Sequence, residues 1–392
     1  MVCRFARGQE LLGYLVVDST VAGRACGGLR MLPDLDEAEI RGLARAMTLK
    51  YGFLGLPQGG AKAGVIGDPE APLAERRRRL ADFARAAAPL LRSRIYVPAT
   101  DMGVDNDDVR YLLGRVGMRP RHRELRGARS AEYTAHSVFA GIQQAVRRRG
   151  VALVGASVAI EGYGRVGRAL AALLANAGAR IVAVSNSNAA IHQPHGLDLE
   201  LLERLAAELG SHALERYPDA RRIELPALLE LPVDVLAPCA RHDSIRQDNV
   251  GHIAARVVCA GANNPVTSAA ELALFERGIV YPPDFVTNCG GVLGGTMEFA
   301  AMPPERIAAF IQRQIGTRIG RLLDESARRQ ITPRAVVEPL ALQRFTELQR
   351  RAAHPTPAAR LMETALELYR RGLIPTPLVA ALAPVYFERA LE

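Results

Sequence analysis

Residues 157–185 read SVAIEGYGRVGRALAALLANAGARIVAVS, which predicts a strand, a glycine turn, a helix and a second strand. The turn carries Gly162, Gly164 and Gly167 in a G-x-G-x-x-G pattern. The first glycine allows the tight turn, the second lets the backbone approach a pyrophosphate, and the third allows the helix to pack closely on the sheet. The helix N-terminus adds amide donors for the phosphates. We therefore predict a dinucleotide site here.

The rest of the second half continues this alternation of strands and helices. Apolar runs predict further strands over 233–236, 257–259 and 279–281, and a helix over 134–146 before the first strand. Such alternation favours a mostly parallel sheet covered on both faces. We predict an α/β fold with a doubly wound, Rossmann-type nucleotide-binding domain, and helices from about residue 303 to the end.

The first half has its own strands and helices, interrupted by two glycine-rich segments. The predicted elements are a strand over 11–18, helices over 37–50 and 72–91, and a strand over 94–98, with glycine turns at 26–28 and 59–62. A hydrophilic stretch over 119–130 predicts a domain boundary. The predicted domains are an α/β substrate-binding and catalytic domain (1–130), a Rossmann dinucleotide-binding domain (131–330) and C-terminal helices packing back on the first (331–392).

Composition limits the function classes. A chain of 392 residues is long enough for two domains. The net charge of +9 is scattered, and the arginine runs 76–79 and 147–149 are typical of solvated helix faces rather than of a nucleic-acid site. Five widely spaced cysteines without a CxxC pair predict reduced thiols and no metal site. With no membrane-length apolar run and no signal peptide, we predict a cytoplasmic protein without nucleic-acid or membrane partners.

Two lysines point to catalysis. Lys50 and Lys62 are the only lysines among 50 basic residues, and the others are all arginine. A guanidinium stays protonated, whereas a buried ammonium can lose its proton and act as a base or nucleophile. Retention of two lysines twelve residues apart in such a composition therefore indicates chemistry that arginine cannot perform.

These features combine into a known pattern. The chain resembles the amino-acid dehydrogenase superfamily that contains glutamate, leucine, phenylalanine and valine dehydrogenases. The resembling segments run in family order over roughly three quarters of the chain, and they are GGLRM (27–31), MTLK (47–50), LPQGGAK (56–62), PATDMG (98–103), the glycine turn, PCA (238–240), GANNP (261–265), PDF (283–285) and NCGGV (288–292).

The resemblance implies an N-terminal substrate domain, a C-terminal nucleotide domain and an active-site cleft between them. It implies that Lys62 is the catalytic lysine, that Asp101 is the catalytic acid and base, and that Lys50 holds the substrate α-carboxylate. Gly28 and Asn288 are implied on the substrate side. The implied cofactor-binding residues are Gly162, Gly164, Arg165, Val166, Gly167, Asn186, Thr134, Ala240 and Asn263.

The chemistry agrees with these roles. In oxidative deamination a hydride leaves Cα for the nicotinamide, and water then adds to the iminium carbon. A lysine whose pKa is depressed by a second cation, such as Lys50, can activate that water, and Asp101 can move protons to and from the departing ammonia.

Two departures from the pattern bear on the substrate. Glutamate-specific members have a lysine, which binds the side-chain carboxylate, where this chain has Cys26, and a serine where it has Gly295. Both changes remove polar partners for a second carboxylate. We therefore expect an apolar L-amino acid and a closer relation to the leucine, phenylalanine and valine branch. The alternatives are a glutamate dehydrogenase with altered side-chain recognition and a catalytically silent paralogue, against which the intact Lys50, Lys62 and Asp101 argue.

The cofactor and the assembly are less constrained. About twenty residues after the glycines, where a carboxylate would hold the adenosine ribose, the chain has Asn186. An amide can bind a ribose but does not repel a 2′-phosphate. Because no arginine closely follows Asn186, the sequence favours NAD and leaves NADP open. The resemblance also implies a homo-oligomer.

Overall fold

The computed structural model describes residues 1–119 and 129–391. In chain order the strands are β1 (Val2–Arg7), β2 (Glu10–Val17), β3 (Ala25–Leu32), β4 (Gly59–Ile66), β5 (Tyr96–Thr100), β6 (Ser157–Glu161), β7 (Arg180–Ser185), β8 (Ala190–His192), β9 (Arg221–Ile223), β10 (Val235–Pro238) and β11 (Val257–Val258).

The helices are α1 (Glu37–Leu54), α2 (Leu73–Ala86), α3 (Ala88–Arg92), α4 (Asn106–Arg115), α5 (Ser130–Arg149), α6 (Arg165–Asn176), α7 (Leu199–Leu209), α8 (Ser268–Glu276), α9 (Asp284–Thr287), α10 (Gly290–Phe299), α11 (Pro304–Arg329), α12 (Pro333–Ala353), α13 (Pro357–Arg370) and α14 (Thr376–Leu391). In the described ranges, no helix is both long and apolar enough to cross a membrane.

The described residues form two compact units. The first comprises 1–119, 296–302 and 338–391, and the second comprises 129–295 and 303–337. The domain limits predicted at 130 and 330 stay a prediction, and residues 120–128 of the predicted connector lie outside the described residues.

The first unit is built on a five-stranded mixed sheet in the order β1-β2-β4-β3-β5. Strands β3, β4 and β5 are parallel, whereas β1 and β2 run antiparallel to their neighbours. One face packs on α2 and α4 through a core that includes Leu29, Leu80, Phe83 and Leu112. The other face packs on α1, where Ile40 and neighbouring apolar residues of α1 meet β2.

The C-terminal helices of the first unit hold to its N-terminal part by side chains that bond to backbone carbonyls. Arg344 of α12 donates to the Phe53 carbonyl at 3.2 Å and to the Ala390 carbonyl at 2.7 Å. Gln349 donates to the Thr20 carbonyl at 2.8 Å. These bonds join α12 to the end of α1, to α14 and to the loop before β3.

The second unit is built on a six-stranded sheet in the order β11-β10-β6-β7-β8-β9. The first four strands are parallel, and β8 and β9 add an antiparallel edge. Helix α5 packs on α6 and α11, while α8 closes a second apolar cluster around β10 and β11. The predicted doubly wound arrangement is confirmed.

Three local predictions were wrong. The helix predicted over 72–91 breaks at Ala87 into α2 and α3, because Pro89 has no amide to bond the preceding turn and disfavours helical geometry just before it. The strand predicted over 94–98 begins at Tyr96 and runs to Thr100. The strand predicted over 279–281 is reduced to one bridge between Val257 and Val280.

The two predicted glycine turns are also wrong, since both segments are strands. Gly27 lies inside β3, and a Cβ atom placed there would lie 1.6 Å from the Ala61 carbonyl oxygen. Gly60 lies inside β4, and a Cβ atom there would lie 2.3 Å from the Thr48 amide nitrogen. These glycines therefore serve the close approach of strand to strand and of strand to α1, rather than reversal of the chain.

Candidate active site

Lys62 and Asp101 meet over one face of the first sheet. Lys62 lies in β4 and Asp101 directly follows β5, and the Lys62 Nζ contacts Asp101 Oδ2. The Lys62 side chain is 4% exposed. Gly28 of β3 lies beneath the pair, and a Cβ atom on it would lie 2.8 Å from the Asp101 Cβ and 3.0 Å from the Lys62 Nζ. The contact between Lys62 and Asp101 therefore requires a glycine at position 28.

Sequence analysis missed two members of this cluster, Arg30 and Glu39. Arg30 Nε donates to Asp101 Oδ2 at 3.1 Å, and its terminal nitrogen NH1 contacts Glu39 Oε1. Both side chains are almost fully buried. The available signal was the position of Arg30, two residues after Gly28 on the same strand and hence on the same face.

The cluster shifts the pKa values of its members. Burial lowers the pKa of Lys62 below its ordinary value; Asp101 opposes this effect and Arg30 adds to it. For Asp101, burial acts to raise the pKa, but Arg30 and Lys62 outweigh burial and hold it well below the ordinary range. Asp101 is therefore a carboxylate, and Lys62 releases its proton more readily than a lysine in water.

Lys50 lies near the end of α1 and is buried. The strongest cationic influence on the Lys62 pKa comes from Arg30, however, so the expectation that Lys50 supplies the crowding charge is corrected. The physical reason is proximity: Arg30 and Lys62 share one carboxylate oxygen, Oδ2 of Asp101.

Cys26 lies two residues before Gly28, on the same face of β3. Its thiol is hydrogen-bonded with the hydroxyl of Tyr51, which is buried in α1. Burial raises the pKa of the thiol, whereas the Tyr51 hydroxyl and the Gly27 backbone lower it. The net shift is upward, so Cys26 is a neutral side chain at this position.

In the second unit the glycine loop is built as the sequence predicts. Gly162 has a φ of +94°, and a Cβ atom on it would lie 2.8 Å from the Ala240 amide nitrogen. A Cβ atom on Gly167 would lie 2.1 Å from the Gly162 carbonyl oxygen, whereas one on Gly164 would meet nothing within 4 Å. Helix α6 opens at Arg165 without a side-chain cap on its amides. The residues thus fit a pyrophosphate over Gly164 at the helix N-terminus.

Asn186 directly follows β7, and its amide is engaged at both ends. Its Oδ1 accepts from the backbone amides of Asn188 and Ala189, each at 2.9 Å, and its Nδ2 donates to the Ser211 carbonyl at 2.7 Å. The side chain therefore shapes the loop after β7 as well as standing where the sequence predicts a ribose contact.

The next predicted residues of the second unit lie in helix α5, between helices α9 and α10, and in the loop after β11. Asn288 follows α9, and its Nδ2 donates to the Ala262 carbonyl at 2.7 Å and to Asn263 Oδ1 at 3.2 Å. Thr134 lies in α5, where its hydroxyl donates to the Ser130 carbonyl at 2.8 Å. Asn263 and Asn288 are therefore brought together.

Three further predicted positions, Ala240, Gly295 and Val166, are described by the space around them. Ala240 lies beside Gly162 in the loop after β10. Gly295 lies in α10, where an added Cβ atom would meet nothing within 4 Å. Val166 lies in the first turn of α6, and a Cβ atom on Gly261 would lie 3.0 Å from its side chain.

Two family models match this chain. Residues 3–118 match "Glu/Leu/Phe/Val dehydrogenase, dimerisation domain", and residues 128–320 match "Glutamate/Leucine/Phenylalanine/Valine dehydrogenase". The chain belongs to the Glu/Leu/Phe/Val dehydrogenase family. The predicted two-domain fold and the predicted class of enzyme, an NAD(P)-dependent amino-acid dehydrogenase, are confirmed at the level of this family.

Similar proteins of the Glu/Leu/Phe/Val family include glutamate dehydrogenases of both cofactor types. The NAD-specific glutamate dehydrogenase of Staphylococcus aureus (strain COL) is 32% identical over 296 residues, 72% of this chain and 71% of that protein. The NADP(+)-dependent glutamate dehydrogenase of Pyrobaculum calidifontis is 33% identical over 302 residues, 73% and 72% of the two chains. These relatives do not support a closer relation to the leucine, phenylalanine and valine branch.

Solved structures show the same fold. The hetero-hexameric glutamate dehydrogenase of Thermus thermophilus in its Leu-bound form has a TM-score of 0.75 and 24% identity, covering 89% of this chain and 88% of that one. The L-tryptophan dehydrogenase of Nostoc punctiforme has a TM-score of 0.60 and 24% identity, covering 89% and 96%.

Proposed function

We propose that this chain catalyses the reversible oxidative deamination of an apolar L-amino acid to its 2-oxo acid and ammonia, with a nicotinamide dinucleotide as the redox partner. One observation carries the proposal: the buried Lys62 amine, with its pKa lowered, contacts the carboxylate of Asp101. A poised base next to a fixed carboxylate is what addition of water to an iminium carbon requires.

The proposed roles follow from the electrostatics. Lys62 in its neutral form takes a proton from the water that adds to the iminium carbon. Asp101, kept ionised by Arg30, carries protons to and from the departing ammonia, and its own affinity for a proton increases when Lys62 is neutral. Lys50 is proposed to hold the α-carboxylate. Arg30 acts through Asp101 and is a positioning residue.

The dinucleotide would be held in the second unit by the glycine loop and the open N-terminus of α6. When bound, its nicotinamide accepts the hydride from the substrate Cα. We propose NAD as the cofactor, with NADP left open, because Asn186 carries no charge to repel a 2′-phosphate. Thr134, Ala240 and Asn263 are proposed contacts on the nicotinamide side, and Asn288 is a proposed contact on the substrate side.

The apolar substrate is supported by the side chains at the two departures from the glutamate pattern. Cys26 is neutral and bonded to a neutral hydroxyl, and Gly295 offers no side chain. Burying a second carboxylate without a partner costs several kcal/mol, whereas an apolar side chain gains about 25 cal/mol per Å² on burial. Both effects favour apolar substrates.

A second candidate is a glutamate dehydrogenase with altered side-chain recognition. The curated relatives named above, at 32% and 33% identity, are glutamate dehydrogenases, which favours it. In that case a cation from elsewhere in the protein must replace the lysine absent at Cys26.

The two candidates are separated by initial rates with ammonia and a panel of 2-oxo acids, scored by NADH and NADPH oxidation. We expect 2-oxoisocaproate, 2-oxoisovalerate or phenylpyruvate to exceed 2-oxoglutarate by roughly a hundredfold or more in kcat/KM. A wild-type enzyme that uses 2-oxoglutarate best would support the second candidate instead.

Variants at the two positions refine this experiment. Cys26→Lys should erode the preference without creating an efficient glutamate enzyme, because Gly295 still lacks a donor. Adding Gly295→Ser, whose Cβ atom has open space, should then raise activity on 2-oxoglutarate further. Cys26→Ser is the matched control, since it changes the side chain without adding charge.

We also propose that the chain forms a homo-oligomer. The family model matched by residues 3–118 is described as a dimerisation domain, which supports self-association. Light scattering coupled to gel filtration measures the mass directly, and a monomer at micromolar concentration would contradict this proposal.

A further inference from the structure

Tyr51 is a buried phenol beside the catalytic face that neither the sequence patterns nor the proposed roles account for. It follows Lys50 in α1, is 4% exposed, and is hydrogen-bonded to the Cys26 thiol. The bond fixes the tyrosine hydroxyl against the strand on which Gly28 and Arg30 also lie.

The order of side chains along β3 limits the directions in which the side chain of a substrate can extend. Cys26, Gly28 and Arg30 are alternate residues of β3, so they share one face at intervals of about 7 Å. Lys62 and Asp101 lie over the central one, Gly28. A substrate with its reacting carbon beside Lys62 therefore has two directions along the strand for its side chain.

The two directions differ in polarity. On the Arg30 side lies a buried ion pair with Glu39, which an apolar side chain would have to desolvate further without compensation. On the Cys26 side lie a neutral thiol and the ring of Tyr51. Area burial favours an apolar side chain on the second side.

Tyr51 is neutral, and its hydroxyl has a different partner from that of the other buried tyrosine nearby. Burial raises its pKa well above the ordinary value, so the phenol stays neutral. The neighbouring Tyr96 is equally buried, but its hydroxyl donates to the Gly27 carbonyl at 3.1 Å, on the strand backbone. Of these two tyrosines, Tyr51 is the one whose hydroxyl bonds the Cys26 side chain.

We infer that Tyr51 is a specificity-determining residue, whose ring closes the substrate side-chain site at Cys26 and limits it to branched aliphatic side chains over aromatic ones. The inference rests on the proposed function, because it names the substrate class of that same site.

The test compares kcat/KM for 2-oxoisovalerate, 2-oxoisocaproate and phenylpyruvate in wild type, Tyr51→Phe, Tyr51→Leu and Tyr51→Val. We expect wild type to prefer the branched substrates. Tyr51→Leu and Tyr51→Val should raise the ratio of phenylpyruvate to 2-oxoisovalerate by roughly tenfold, the range of pocket-size effects. Tyr51→Phe keeps the ring and should leave the ratio near the wild-type value.

Tyr96→Phe is the matched control, because it removes a hydroxyl at the same depth that bonds the Gly27 carbonyl instead of the Cys26 thiol, and its substrate ratio should not change. A second readout needs no activity: isocaproate should bind wild type more tightly than 3-phenylpropionate by titration calorimetry. If the smaller variants fail to fold, tighter binding of 3-phenylpropionate than of isocaproate to wild type would still overturn the inference.

Failure of the proposed function and failure of the inference about Tyr51 give different results. A wild type with no turnover on any 2-oxo acid would overturn the proposed function itself. An active wild type that prefers phenylpyruvate and binds 3-phenylpropionate more tightly would overturn the inference alone. Folded Tyr51→Leu and Tyr51→Val proteins with the wild-type ratio would do the same.

Discussion

Arg30 donates from Nε to Oδ2 of Asp101 at 3.1 Å, and this is the same oxygen that contacts the Lys62 amine. Arg30 in turn contacts Glu39, so the buried charges alternate in sign along Lys62, Asp101, Arg30 and Glu39. Arg30 therefore weakens the hold of Asp101 on the Lys62 proton. Arg30 and Glu39 can therefore set the pKa of Lys62 without contacting the substrate.

The first prediction tests this control of the Lys62 pKa. Replacing both buried partners, Arg30→Met with Glu39→Gln, removes a cation that lowers the pKa of Lys62 together with an anion that raises this pKa by a smaller amount. The pKa should rise, so the neutral amine forms only at higher pH and the alkaline increase in kcat/KM should move upward in pH. Glu39→Gln alone removes an anion that raises the Lys62 pKa, so its increase should move downward. Profiles that coincide with wild type in both variants would contradict the assignment of Arg30.

The second prediction concerns the base itself. Lys62→Arg keeps the charge but cannot supply a neutral base, so kcat should fall by roughly a hundredfold to ten-thousandfold while dinucleotide binding is retained. Because Lys62 is packed above Gly28, Lys62→Met is a second variant that fits the space. Asp101→Asn should show a comparable loss. Turnover in folded Lys62→Arg at a tenth of the wild-type rate would exclude a catalytic role for the lysine.

The sequence analysis named Lys62 and Asp101, which meet in the structure, but it did not predict β3 and β4, the strands on which Gly28 and Lys62 lie. Lys62 is recognisable because lysine is rare in this chain, whereas Asp101 and Gly28 were implied by short motifs that resemble those of the family. The two glycine segments were predicted as turns because glycine is common in turns. Glycine is needed inside the strand at Gly27 because the backbone of Ala61 packs directly against it, and this contact is visible only in the structure.

Arg30 and Tyr51 were missed for a different reason. The Arg30–Asp101 bond joins residues 71 positions apart, and the Tyr51–Cys26 bond joins α1 to β3, so neither follows from spacing. In contrast, the glycine loop of the second unit was predicted closely, since its geometry is contained in six consecutive residues, from Gly162 to Gly167.

The third prediction concerns cofactor choice. Asn186→Asp keeps an oxygen acceptor for the Asn188 and Ala189 amides but loses the bond to the Ser211 carbonyl. Its negative charge opposes a 2′-phosphate, so the preference for NADH over NADPH should increase by roughly tenfold or more. Asn188→Asp, whose amide also bonds Ser211, is the control for a charge placed nearby. A wild type with a much lower KM for NADPH than for NADH would show that the preference for NAD is wrong.

The fourth prediction is a dependence of stability on pH. Burial raises the pKa of Glu161 from 4.5 to about 7, while a bond to Ser244 acts in the other direction. Because the folded state holds this proton longer than the unfolded state, its contribution is fully present below about pH 4.5 and is lost as pH rises to about 7. The shift corresponds to a loss of about 3 kcal/mol in the free energy of unfolding.

Glu161→Gln should remove that loss, as measured by urea unfolding at about pH 5 and about pH 8. Glu203→Gln is the control of opposite sign, because Arg168 lowers the pKa of Glu203 and the stabilisation it gives is present at the higher pH. Equal losses between the two pH values in wild type and Glu161→Gln would assign the effect to another group.

The last prediction concerns the network that fixes the loop bearing Asn263. Arg334 donates to Glu271 at 2.6 Å and to Asp284 at 3.0 Å, and Asp284 accepts from the Asn264 amide at 2.9 Å. Arg334→Met removes the partner of two buried carboxylates, which should lower the free energy of unfolding by about 3–5 kcal/mol. Arg334→Lys keeps the charge but cannot bond both carboxylates as the guanidinium does, so it should recover only part of the lost free energy of unfolding.

The same network can also be tested by dinucleotide binding, which is measured separately from stability. Since Asp284 anchors Asn264 next to Asn263, Arg334→Lys should also weaken dinucleotide binding in protein that remains folded. Arg329→Met, which removes an exposed arginine 4.0 Å from Glu325, should change stability by no more than about 0.5 kcal/mol. If Arg334→Met unfolds at the same urea concentration as Arg329→Met, the network contributes nothing, and the Asn263 loop must be fixed by its bond with Asn288 instead.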